Sequence, residues 1–288
     1  MIVRPAEPGD VEGIVALLDR MNPKIAPERW RRLFAYDWLA PKPDLGRVAV
    51  FEDRIVGFIG AVYADRTIAG RRERVVNLSS WYLDRGHRGQ GRGLMTAGRR
   101  LMTEVTANPE WHYSIITSSS KTPRILRAVG FEVLDSHRYD WRRQAAPPGG
   151  FEVLQDRQEL LARLPEDQRR LLSDHADLPV TPMLFRHAGG AALVVFSVTR
   201  KGDDQPWYDV LHVDDPGFLP AQGQAVANAI LPDGDAVLSA DERFCATPPP
   251  GAERVALPVP RFIKSPRLAG HHIDHLYSEL QLLNLKLD

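Results

Sequence analysis

The clearest periodicity in the chain has a repeat of two. In GRVAVFEDRIVGFIGAVYADR, residues 46–66, apolar side chains alternate on both sides of Glu52-Asp53, which predicts a β-hairpin turning at that pair. Before it, IVRP reads as a short strand. Asp10 is then placed to cap a helix whose apolar positions Val11, Ile14, Val15, Leu17 and Leu18 recur at helical spacing. A second helix is expected around ERWRRLFAYDW. After the hairpin come a strand, ERVVNLSSWYL, a helix opening at Leu94, a strand, HYSIITSSS, a helix, KTPRILRAVG, and a last strand pair from FEVLDSHRYDW. Strand, helices, three antiparallel strands, helix, strand, helix, strand describes an α/β (α+β) fold with a mixed central sheet and flanking helices.

The pattern breaks at QAAPPGG, residues 144–150, where two prolines and two glycines support neither helix nor strand. This predicts a first domain over residues 1–143, a linker over 144–150 and a second α/β lobe over 151–288. In that lobe the expected order is a strand and two short helices (FEVLQDRQELLARLPEDQRRLLSDHADLP), then strand, strand, helix (LPAQGQAVANAIL), strand, and later RVALPVPRFI. The C-terminal HHIDHLYSELQLLNLKLD reads as an amphipathic helix with Ile273, Leu276, Tyr277, Leu280, Leu283 and Leu287 on one side. That face suits a core or dimer helix, so the chain is expected to be a monomer or a homodimer. His271, His272 and His275 cluster there without a positioned third ligand, and no metal is expected.

Composition narrows the classes. Apolar runs such as AALVVF (191–196) are too short to cross a bilayer, and MIVRPAEPGD has no secretory apolar core. The expectation is a soluble cytoplasmic protein with no membrane partner. Cys245 is the only cysteine, which excludes an intramolecular disulfide and a thiolate zinc site. Net charge is zero, yet residues 1–143 hold 24 Lys and Arg against 17 Asp and Glu, and the remainder is acidic to the same degree. A basic first half suits an anionic small ligand. A nucleic-acid partner is not expected, since such proteins carry a basic surplus over the whole domain with aromatics interleaved.

The chemistry concentrates in RGHRGQGRG, residues 85–93, four glycines and three arginines between a predicted strand and a predicted helix. Unpaired N–H groups at a helix start carry partial positive charge, so a glycine-rich turn there cradles phosphate oxygens. No Lys-Ser/Thr pair follows, and the glycines do not fit G-x-G-x-x-G. What remains is Arg88-x-x-Gly91-x-Gly93.

With a strand before it, a helix after it and Gly130-Phe131 further on, residues 1–143 resemble the GNAT family of acyl-CoA-dependent N-acyltransferases. The resemblance implies acetyl-CoA or another acyl-CoA as co-substrate. Its pyrophosphate would lie on Arg88, Gly89, Gln90, Gly91, Arg92, Gly93 and Leu94, and its pantetheine arm beside Tyr82, Leu83 and the run from Ile116 to Ser119. Arg99, Arg100, Lys121, Arg124 and Arg127 are candidates for the ribose 3′-phosphate. The N–H of Leu83 or a neighbour would stabilise the oxyanion. Three usual side chains are missing: the family's tyrosine acid and an asparagine fall on Leu126 and Ser119, and NLSSWYL contains no glutamate base. Tyr82, Ser118, Ser119, Ser120 and His87 lie nearby, with Asp65 or Asp84 reachable through water. Tyr82 suits a packing role as well as a catalytic one.

Aligned on the strand before its helix, the second lobe lacks the arginine and the glycines, and resembles a degenerate second GNAT-like lobe that walls off an acceptor cleft. The IDHLYSEL segment resembles GNAT-like proteins encoded with bacterial surface-polysaccharide genes, which implies an amino-sugar acceptor. Three functions follow: an N-acyltransferase acting on a small-molecule amine, a non-catalytic acyl-CoA sensor, and a protein N-acetyltransferase.

Overall fold

The structure is a computed structural model that describes residues 1–88, 96–145, 150–187 and 189–287. The chain forms two compact units. The first comprises Met1–Glu132, Arg261–Leu268 and Tyr277–Leu285; the second comprises Val133–Pro260, Ala269–Leu276 and Lys286–Asp288.

In the first unit, β1 (Ile2–Pro5) is followed by α1 (Val11–Met21) and α2 (Pro27–Ala35), then by β2 (Gly46–Phe51), β3 (Arg54–Ile68) and β4 (Arg71–Leu83). After these come α3 (Ala97–Val105), β5 (His112–Ile115) and α4 (Pro123–Ala128). β1 to β4 pair antiparallel in sequence order, and β5 runs parallel to β4. Glu52 and Asp53 form the hairpin turn with φ of 48° and 58°, the left-handed pair that a two-residue hairpin demands. α1 buries Ile14, Val15, Leu17 and Leu18 as its spacing requires. The Asp10 carboxylate sits at the helix start but is taken by Arg4 and by the N–H of Glu7 rather than by the helix. Gly57 lets α3 settle on the sheet: a Cβ there would lie 2.7 Å from Leu83 and 3.3 Å from Leu101.

The returning segments complete this unit. Phe262, Ile263 and Lys264 pair antiparallel with β5. Arg267 donates to both carboxylate oxygens of Glu73, one of them at 2.9 Å, and His112 Nε2 donates to the same carboxylate at 3.1 Å. Glu73 and His112 are buried, so the cluster fixes the 261–268 segment to the sheet.

In the second unit, β6 (Glu132–Arg142) precedes β7 (Glu152–Leu154), α5 (Arg157–Arg163) and α6 (Glu166–Asp174). β8 (Thr181–His187), β9 (Gly190–Lys201) and β10 (Gln205–Val213) follow, then α7 (Phe218–Ile230), β11 (Val237–Asp241) and β12 (Glu253–Lys264), whose residues from Arg261 onward belong to the first unit. β7 to β10 form an antiparallel meander, β11 runs parallel to β10, and β6 pairs antiparallel with β11. Strand, two helices, three antiparallel strands, helix, parallel strand is the order of the first unit repeated. Its core gathers Trp141, Phe185, Phe196 and Phe218 under α7.

Two sequence expectations are corrected. The division is not at residues 144–150, because Arg138–Arg142 of β6 pair with β11 and carry that strand into the second unit, while two C-terminal segments return to the first. The C-terminal stretch is not one amphipathic helix: a single helical turn at Gly270–His272 and a short α8 (Glu279–Leu282) are separated by non-helical backbone that bends over His275–Ser278, with Tyr277 at φ 52°. The polar residues His275, Ser278, Glu279 and Gln281 are as buried as their apolar neighbours, so no solvent face exists for an amphipathic helix to present. The strand β8 was not visible in the sequence.

Candidate functional site

The site begins with an irregularity in β4. Its antiparallel register with β3 shifts between Phe58 and Gly60, so that Ser80 and Trp81 oppose the single residue Ile59. Ser80 takes up the extra length with φ 54°, a left-handed conformation that costs a non-glycine residue energy and recurs at functional sites. On the other side, β4 pairs with β5 only over Val75–Asn77. Beyond those three residues both strands line one cavity of about 340 Å³, β4 with Leu78, Ser79, Ser80 and Trp81, and the β5 side with Ile115 and Thr117–Ser119. Trp81 is anchored by its indole N–H on the Gly98 carbonyl at 3.1 Å.

Leu126, where the resemblance implies a tyrosine, is a fully buried apolar wall of this cavity. Ser119 lines it too, with its carbonyl accepting from the N–H and hydroxyl of Thr122. Tyr82 and Leu83 do not line it. Leu83 is buried against Gly57, and Tyr82 lines a second, open cavity of about 550 Å³ with Arg20, Arg85, His87 and Arg88. There the Arg88 guanidinium lies 5.3 Å from the Tyr82 ring centroid and donates to the Leu83 carbonyl at 2.8 Å. Asp84, proposed from sequence as a water-linked base, is paired with Arg20 at 3.0 Å, and Asp65 is held by Arg72 and Arg74. Gly89, Gln90, Gly91, Arg92, Gly93 and Leu94 lie outside the described residues; Arg88 before them is exposed. The helix beyond opens at Ala97, with the Thr96 hydroxyl accepting from the N–H of Arg99. Arg100, one of the phosphate candidates, is engaged by Glu104 at 3.1 Å.

Glu279 was missed in the sequence. It lines the 340 Å³ cavity, is 1% exposed, and accepts from the Thr117 hydroxyl at 2.6 Å, while its own N–H donates to Asn77 Oδ1 at 3.1 Å. Burial pushes its carboxyl up to about 7, against the hydrogen bond from the Thr117 hydroxyl that favours the anion. A group poised there exchanges a proton at neutral pH, which a general base requires. The available signal was a lone carboxylate inside YSELQLLNL, masked when the stretch is read as a surface helix. Trp30 and Ser79 border the same cavity. Among the described residues, no three His, Cys, Asp or Glu side chains gather to hold a metal, and no helix is long and apolar enough to cross a membrane.

This geometry has counterparts. Residues 11–107 match the family model described as the acetyltransferase (GNAT) family. No curated protein matches the sequence. Among solved structures, a probable N-acyltransferase from Enterococcus faecalis V583 superposes with a TM-score of 0.57 at 13% identity, over 92% of this chain and 72% of that one. A GCN5-related N-acetyltransferase from Anabaena variabilis gives 0.56 at 11% identity, over 91% and 72%. Eis1 from Mycobacterium abscessus gives 0.51 at 16% identity, over 92% and 74%. These likenesses concern the fold and reach across both units. Residues 11–107 are thus similar to the GNAT acetyltransferase family, and the chain shares its fold with solved GNAT-type structures.

Proposed function

We propose that the protein transfers an acyl group, acetyl in the first instance, from acyl-CoA to the nitrogen of a small-molecule amine. The observation that carries this reading is the parting of β4 from β5 after three paired residues, beside a bulge at Ser80, with a cation-lined cavity opening at the end of the same strand. A parted parallel pair offers unpaired main-chain groups to an extended ligand. Bound acyl-CoA supplies an electrophilic thioester; the chain's own residues do the rest. Arg88, Arg85 and Arg20 give the second cavity the charge an anionic pyrophosphate needs, and the glycine-rich motif Gly89–Gly93 follows Arg88 directly in the sequence. The run Ile115–Ser119 and the amides near Leu83 would hold and polarise the acyl end. Ser119 then serves to bind rather than to transfer a proton, and Tyr82 packs beneath Arg88.

The second unit repeats the element order but not the chemistry. Its β10-to-α7 turn carries Asp214 and Asp215 and lacks the arginines that follow β4 in the first unit, and both carboxylates are used within the turn or against Leu193. We read it as a degenerate GNAT-like lobe that binds no coenzyme A. Calorimetry with acetyl-CoA tests the reading. Wild type should bind near micromolar affinity, about −8 kcal/mol, and Gly91→Glu should abolish binding; a wild type that binds no acyl-CoA defeats it. Binding without turnover of any amine, or turnover of peptides alone, would favour a sensor or a protein acetylase.

A further inference from the structure

Three buried polar atoms bordering the 340 Å³ cavity have no hydrogen-bond partner among the described residues: Trp30 Nε1, Ser79 Oγ and Glu279 Oε2. Asn77 Nδ2, on the residue that accepts from the Glu279 N–H, is a fourth such atom. Buried polar groups are nearly always paired, so their concentration at one cavity marks where a ligand makes the missing bonds. Among the described residues Glu279 is the only carboxylate, histidine, lysine or arginine lining that cavity. The walls away from β4 and β5 come from β3, the segment from Met21 to Trp30, α3, α4 and the C-terminal segment, and are mainly apolar, with Asn22 and Thr122 as their polar members besides Glu279.

The geometry points to Glu279 as the group that binds the acceptor's ammonium and takes its proton, and to an acceptor amine carried on an apolar body. This rests on the acyltransfer reading above. A carboxylate with one oxygen held by Thr117 and the other unpartnered accepts one ammonium hydrogen bond, and its burial makes the pairing strong. A sugar would place several hydroxyls against Met21, Ile25, Leu283 and Leu285, which return no hydrogen bonds.

The step balances as follows. Glu279 removes one proton from the ammonium; the freed lone pair attacks the thioester carbon, forming the C–N bond while the C–S bond breaks. The second nitrogen proton passes to the departing thiolate, and the proton on Glu279 returns to solvent. Among the described residues no Lys, Arg or His side chain forms an ion pair with the Glu279 carboxylate; its side-chain hydrogen bond comes from Thr117. From α2, Arg29 donates to the carbonyls of Leu283 and Asn284, and Arg261 donates to the Ile116 carbonyl. Glu73 further along β4 is neutralised by Arg267 and His112. Burial therefore governs the titration of Glu279.

The test is acetylation of phenethylamine and of glucosamine by the full chain with acetyl-CoA, from about pH 6 to about pH 9, in wild type, Glu279→Gln and Glu279→Asp. Wild type should prefer phenethylamine by roughly tenfold or more in kcat/KM, with a profile that rises and levels above about 7. Glu279→Gln should lower kcat/KM at neutral pH on the order of 10²-fold. Its profile should keep climbing past about pH 8 toward the amine's own pKa, because only free amine from solution then reacts; Glu279→Asp should restore part of the plateau. Unchanged acetyl-CoA binding in Glu279→Gln shows that the variant is folded. An unaltered profile in Glu279→Gln, a preference for glucosamine, or no acetylation of either amine despite acetyl-CoA binding overturns the inference and leaves the acyl-CoA site standing. A wild type that binds no acetyl-CoA removes the acyltransfer reading and this inference together.

Discussion

Glu73 and Glu279 are both buried carboxylates of the first unit, and their partners set them in opposite directions. The Arg267 guanidinium, helped by His112, holds Glu73 down to about 2, while burial raises Glu279 to about 7. Glu73 stabilises the fold fully above the ordinary glutamate range. That contribution is lost as pH falls from about 4.5 through about 2, so Glu73→Gln should flatten the acid limb of a denaturation profile read by circular dichroism. For Glu279 the sign is reversed. The native state holds its proton more tightly than the unfolded chain, so stability declines as pH rises from the ordinary range through about 7. Glu279→Gln should therefore raise the melting temperature at about pH 8 relative to wild type, by an amount equivalent to at most about 3 kcal/mol, and the gap should close near pH 5. A variant that is more stable but less active is the expected signature of a strained functional group. Arg88 stands out in the sequence because its motif sets glycines and a cation in fixed order, as a phosphate cradle would need. Glu279 was not, because a single carboxylate among leucines has no spacing rule, and only the fold brings it to Asn77 and Thr117.

Elements were readable where one face of a periodic pattern is buried. α1 shows its core residues at helical spacing, and the hairpin shows its turn at Glu52-Asp53. β8 escaped because Met183, Leu184 and Phe185 are all buried in succession, which removes the alternation, and Pro182 argues against a strand. The C-terminal segment misled because leucines at helical intervals imitate amphipathicity even when the polar positions between them are buried too. α7 shows an element-scale constraint that the sequence conceals. Gly223 lies so close to Trp141 that a Cβ would stand 2.7 Å from the indole ring. Trp141 is fully buried and cannot yield, so Gly223→Val should displace α7 and cost about 1–3 kcal/mol by overpacking. A denaturant titration checks this: the midpoint should drop while the slope is kept, and Gly86→Val, a change at a glycine with open space around it, should leave the midpoint unchanged.

At the scale of the whole molecule, the chain visits the first unit three times, and the later visits supply parts the first cannot make. Residues 1–132 contain Glu73 and His112 but not Arg267 or Ser265; they contain β5 but not the strand residues Phe262–Lys264 that cover its edge. They line the cavity on most sides but lack Glu279, Leu283 and Leu285. A chain cut after residue 143, where the proline and glycine run suggests a natural end, should therefore fail to fold cooperatively. The missing Leu280, Leu282 and Leu283 are each buried, and at roughly 1.5–3 kcal/mol per side chain their loss alone approaches the net stability of about 5–15 kcal/mol typical of a domain. Leaving Glu73 buried without Arg267 adds an uncompensated charge. The expected result is a broad thermal transition by circular dichroism and aggregation by light scattering. A cut after residue 276 keeps Arg261–Leu268 with the Arg267 cluster and takes from the first unit only Tyr277–Leu285, so it should hold more structure than the first cut yet acetylate no amine. If residues 1–143 instead melt sharply and bind acetyl-CoA as the full chain does, the returning segments are dispensable. Glu279 would then lie outside the folding unit that binds the thioester, and a base for the reaction would have to be sought among the side chains of residues 1–143.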